Sequence, residues 1–120
     1  NIFMKNNNDY SFDECLQDGL YINLADSTAY KLIYNAGMQL PTFITFGLFD
    51  TCINADSNEA IDEHLTSLLT DTFLEIKDSE NTRLHVNAII DDKKIDFDAQ
   101  LQISNEHGKV LLLSLPNEVN

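Results

Sequence analysis

The sequence predicts an α+β domain, with N-terminal helices packed on a C-terminal three-stranded antiparallel meander. Three observations predict it. Helix start and stop residues bracket short segments in the first half of the chain. Apolar residues then recur at intervals of three and four from Ile61 to Ile76. Beyond residue 82 the period changes to two, in three runs separated by short polar connections.

Taken in order, residues 1–9 are polar and asparagine-rich and read as a flexible arm, leaving 10–120 as the single α+β domain. In "SFDECLQDGL", Ser11 and Glu14 have the spacing of a capping box and Gly19 is placed to stop the helix. "LYIN" is a short strand candidate. "DSTAYKLIYNAG" reads as a second helix, capped by Asp26 or Ser27 and closed by Gly37. After Pro41, "TFITFGLFDTCI" reads as a third, mostly buried helical segment, with Phe43, Phe46 and Phe49 on its inner face. The fourth helix starts at Ser57 and carries Ile61, Leu65, Leu68, Leu69, Phe73 and Ile76 as one stripe. "RLHVNAII", "IDFDAQLQIS" and "KVLLLSL" follow as strands, joined by "DDKK" and "NEHG". In the middle one, Ile95, Phe97, Ala99, Leu101 and Ile103 form the inner face and Asp96 and Asp98 stand on the outer one. "KVLLLSL" reads equally as a central strand or as an edge that pairs with a second copy, so monomer and homodimer both stay open.

Charge narrows the function. Twenty acids against seven bases give a net −13, which repels nucleic acid and anionic membranes and calls for a basic partner. No basic stripe exists to neutralise phosphates, so direct nucleic-acid binding is excluded. No run approaches the ~20 apolar residues of a membrane span, and the N-terminus has no signal-peptide core. Cys15 and Cys52, far apart, read as reduced thiols of a cytoplasmic protein.

Catalytic and metal motifs are missing. His64, His85 and His107 are scattered over a helix, a strand and a turn without paired ligand spacing, so no metal or cofactor is expected. Cys52 follows an apolar run and reads as a buried, inert thiol. The chain is read as a non-enzyme.

The acids carry the remaining signal. Glu59 and Glu63, and Asp71 and Glu75, are like-charge pairs four apart on the long helix, which destabilise an isolated helix by about 0.2–0.5 kcal/mol each. Part of this is offset because Glu59 and Asp62 lie near the helix N-terminus. Asp96 and Asp98 would project ~6.8 Å apart along one strand face. Helix neighbours stand ~5–6 Å apart at Cβ. Both spacings resemble the separation of successive DNA phosphates, about twice their ~3.4 Å rise. The candidate partner-binding residues are therefore Glu59, Asp62, Glu63, Asp71, Glu75, Asp91, Asp92, Asp96 and Asp98.

Three blocks also resemble a known family. Tyr10, Asp18, Gly19 and Leu20 match an opening tyrosine, helix and Asp-Gly-hydrophobic turn. Ala36, Gly37, Pro41, Thr45, Asp50 and Cys52 match its second block, with Phe49 where many members carry tryptophan. "LLLSLPNEVN" resembles its closing Leu-Pro-Asn-acid. The family comprises small uncharacterised proteins of plasmids, phages and other mobile elements, often encoded near antirestriction genes. The resemblance implies an accessory protein directed at host defence. Joined to the charge, it makes a non-enzymatic inhibitor of a defence nuclease complex the first expectation (anti-CRISPR or antirestriction, by DNA mimicry). An immunity protein or antitoxin for a cognate basic toxin is the alternative, since steered association suits both.

Overall fold

A computed structural model describes residues 11–119; the arm expected over 1–9 lies outside the described residues. The α+β class holds, but the sheet is larger than a three-stranded meander. Among the described residues it has five strands: β1 (Tyr21–Asn23), β2 (Thr42–Thr45), β3 (Arg83–Ile90), β4 (Lys93–Ser104) and β5 (Gly108–Ser114). They are ordered β1-β2-β5-β4-β3. β3, β4 and β5 form the expected antiparallel meander. β2 then joins β5 in parallel, and β1 closes the other edge antiparallel to β2. The mixed sheet follows because residues 42–45, expected as the start of a helix, form a strand. Thr42, Phe43, Ile44 and Thr45 are all buried, and two are β-branched threonines whose stiff side chains favour the pleat.

The helices follow their punctuation. Helix α1 (Phe12–Gln17) has the full capping box: the Ser11 hydroxyl accepts from the Glu14 amide and the Glu14 carboxylate accepts from the Ser11 amide. Ser27, not Asp26, caps α2 (Thr28–Ala36), and Gly37 ends it at φ 125°, where a Cβ is disfavoured. A short turn, α3 (Phe46–Leu48), widens into a π-turn over Phe49–Ile53. Ser57 caps α4 (Asn58–Ile76), 19 residues and about 28 Å long.

Alternation of side chains gives the sheet two faces. One carries Ile44, Val86, Ala88, Ile90, Phe97, Ala99, Leu111 and Leu113, and packs under α2, α3 and α4, with Leu65, Leu68 and Leu69 as the helical contribution. The other is covered only in part. There Phe12 and Cys15 of α1 close over Tyr21, Phe43, Val110, Leu112 and Val119. Phe43 meets Phe12 edge-on with centroids 4.9 Å apart. The phenylalanines therefore do not share one helix face: Phe43 is buried here, Phe49 is half-buried in the main core and Phe46 is exposed. "KVLLLSL" is a central strand, and its unbroken apolar run is what burial on both faces demands.

The C-terminal "LPNE" explains why it keeps company with Thr45 and Gly47. The Glu118 carboxylate accepts from the Thr45 hydroxyl at 2.7 Å and from the Leu115 amide at 2.9 Å, while Asn117 turns the chain at φ 63°. A Cβ on Gly47 would run into that carboxylate and touch Leu115 Cδ1. Gly47→Ala is expected to cost about 1–3 kcal/mol by forcing the tail off β2. Denaturant titration measures it, and an unchanged midpoint would show that the clip is not needed.

Candidate acidic surface and the buried ion pair

Asp98 departs most from expectation. Alternation assigns it to an exposed face with Asp96, yet Asp98 is only 6% accessible whereas Asp96 is exposed. The register explains the difference. Asp98 lies opposite His85 on β3 and Ser114 on β5, beneath the tail, while Asp96 lies further toward the open end, opposite Asn87. Its carboxylate accepts from Arg83 Nη2 at 2.8 Å and pairs with His85 Nδ1 at 2.9 Å. Arg83 Nη1 also donates to Gln100 Oε1 at 3.3 Å. Burial works to raise the Asp98 pKa, but the His85 and Arg83 hydrogen bonds, the guanidinium charge and the Asn117 amide together hold it below the ordinary carboxylate value. Asp98 is therefore a buried anion engaged within the fold by Arg83 and His85.

The remaining acids fall on two sides of the molecule. Phe97 and Ala99 face the helices, so Asp96 and Asp98 face away from them, and α4 lies across the sheet from both. Asp96 and Asp98 therefore do not share the helix-covered face of the sheet. Glu59, Asp62 and Glu63 line a shallow depression with Thr66 and Ser67 at the N-terminal half of α4. Asp71 and Glu75 line a second one with Leu74, Ile89 and Lys94, against the β3 edge. The two groups are also turned around the helix: at 100° per residue, the eight steps from Glu63 to Asp71 amount to ~80°. From Glu59 to Glu75 the row runs about 24 Å along the axis.

Asp91 and Asp92 sit at a two-residue hairpin turn rather than in a four-residue connection, because Ile90 pairs directly with Lys93. Both adopt φ near 60° (53° and 63°), the geometry of a type I′ turn, which aspartate tolerates better than most residues. Asp91 shares a recess with His64, Cys52 and Lys93 at the end of the helix layer.

Partnering separates these acids from the others. Asp13 accepts from the Ser104 hydroxyl at 2.6 Å and the Asn105 amide at 2.8 Å, bonds that hold its carboxyl below the usual range and tie α1 to the β4–β5 turn. Glu118 and Asp98 are engaged as described. The side chains of Glu59, Asp62, Glu63, Asp71 and Glu75 have no ion-pair or hydrogen-bond partner among the described residues.

The other candidate groups occupy separate places. His64 Nδ1 lies 2.7 Å from the Ile53 carbonyl and ties α4 to the π-turn, and the His107 ring is tilted against Phe43 with centroids 5.3 Å apart. Among the described residues no three His, Cys, Asp or Glu side chains converge as a metal site would require. Cys15 is fully buried and Cys52 half-buried, and burial pushes both thiols up in pKa, away from the reactive thiolate. No described helix is long and apolar enough to cross a membrane.

No protein-family model matches the chain, and neither a curated protein nor a solved structure is similar to it.

Proposed function

We propose that the protein is a non-enzymatic inhibitor that occupies a DNA-binding surface on a host defence nuclease complex, presenting α4 to it. One observation carries the reading: five acids on the outside of one helix, none with a side-chain partner among the described residues. From Asp56 to Asp78 the sequence holds seven acids and one base, Lys77. Natural surfaces usually intersperse both signs, and unpaired like charges on one helix cost stability. A basic groove would recover that cost on binding and would steer association. The working residues are Glu59, Asp62, Glu63, Asp71 and Glu75, with Asp91 and Asp92 flanking them at the hairpin end. Asp96 and Asp98 take no part.

The test is a tagged pull-down from a host lysate containing active restriction and CRISPR systems, eluted by rising salt and by duplex DNA. Recovery of a nuclease complex displaced by DNA is the expected result. The triple variant Glu59→Gln, Asp62→Asn, Glu63→Gln is expected to weaken that capture about tenfold or more with thermal stability kept, whereas Asp96→Asn leaves it unchanged. Equal capture by the parent and the triple variant would remove α4 from the interface. Capture of a basic toxin instead would identify an immunity protein acting through the same surface.

A further inference from the structure

The fold also holds a site unrelated to its acidity. Where α4 runs out, the helix layer stops short of the sheet and leaves a recess of about 180 Å³ open to solvent. Its walls are aliphatic: Leu40, Ile76, Leu84 and Leu101, all only half-buried, with Leu111 at the base. Protein interiors are close-packed, and larger side chains at any of these positions would fill such a gap. The rim is polar, from Ser79 and Thr82, and carries one charged residue, Lys109.

Lys109 is exposed, and its ammonium, like those of the other described lysines, has no ion-pair or hydrogen-bond partner among the described residues. Its place on the rim of an aliphatic recess sets it apart. Glu80, in the same loop as Ser79 and Thr82, is not part of the lining. An apolar pocket with a single unpaired cation at its mouth selects a ligand with an apolar body and a single anionic head. Size limits the body, since a cavity of ~150 Å³ lined by aliphatic side chains accepts benzene. We infer that the recess between the end of α4 and strands β3, β4 and β5 binds a small monocarboxylate of about five to seven carbons, its tail against Leu84 and Leu101 and its carboxylate on Lys109. The recess lies at the opposite end of α4 from Glu59, Asp62 and Glu63, so the binding is independent of the inhibitor reading.

Backbone amide chemical shifts of the full chain, followed during titration with hexanoate, 1-hexanol and acetate, test this. Hexanoate is expected to move the Leu84, Leu101, Lys109 and Leu111 amides along one saturable curve at millimolar concentration. Hexanol should bind the same place about three- to fivefold more weakly, the range of a partly exposed ion pair, and acetate should not saturate. Lys109→Gln should bring hexanoate down to hexanol's affinity without changing hexanol. Leu101→Trp, which fills the recess from a half-exposed position, should abolish both responses. Shifts scattered over the surface, or no saturation by hexanoate, would overturn the site. A Lys109→Gln variant that still prefers hexanoate would overturn the carboxylate assignment.

Discussion

Phe97→Ala is expected to lower the unfolding free energy by about 3–5 kcal/mol, the cost of removing a large ring from a fully buried position. Phe97 stands in β4, flanked by β3 and β5, opposite Val86, and reaches the side of the sheet covered by α4. Its removal leaves a hole bounded by two strands and a helix, where collapse is limited. For a chain of this size the melting temperature should fall by roughly 10–20 °C, which brings an ordinary domain close to unfolding at 37 °C. Urea titration gives the free energy directly. A loss below about 1 kcal/mol would mean that the ring is not in the common core of sheet and helices. Ile103→Ala offers the contrast, because the same strand runs past the helix layer and leaves Ile103 73% exposed. Little change is expected there.

The second large effect concerns charge. Asp98→Ala removes the acceptor shared by Arg83 and His85 and leaves the guanidinium held against Gln100 alone. A cost of about 2 kcal/mol is expected, less than for a fully buried pair because Arg83 and His85 both reach water. Asp98→Asn keeps an acceptor oxygen and should cost about half as much. The pH dependence has a definite sign. Because the folded carboxyl is held below its ordinary value near 3.8, its contribution is complete above that value and fades as the pH falls through the lower folded one. The stability gap between the parent and Asp98→Asn should therefore be constant from pH 5 to 7 and narrow below about pH 4. Thermal melts across that range decide it, and a gap that persists undiminished at pH 2 would show that the ion pair is not its source.

These two residues also show where sequence reasoning stops. Phe97 and Asp98 are neighbours in "IDFDAQLQIS", and strict alternation assigns one to the core and the other to solvent. The first assignment holds because a two-residue period does separate the faces of a strand. The second fails because period says which face a residue is on, not whether that face is covered. Gln100 and Ser104 are buried on the same side for the same reason. Arg83 could have been suspected as a partner, being one of few bases, but choosing Asp98 over Asp96 requires the β3–β4 register.

By itself the sequence determined the elements whose signals are local: the capping box of α1, the serine caps of α2 and α4, the glycine that ends α2, the apolar stripe of α4, and the three C-terminal strands. It also determined the charge excess and its concentration along α4. Only the tertiary structure decided that Thr42–Thr45 is a strand, since a short apolar run looks alike in a buried strand and a buried helix until β5 is beside it. Only it decided that α4 packs on the face of the sheet opposite to Asp96 and Asp98, that Asp98 is spent internally on Arg83 and His85, and that Lys109 stands over an aliphatic recess. Each of these depends on contacts between residues far apart in the chain, which local propensity and periodicity do not encode.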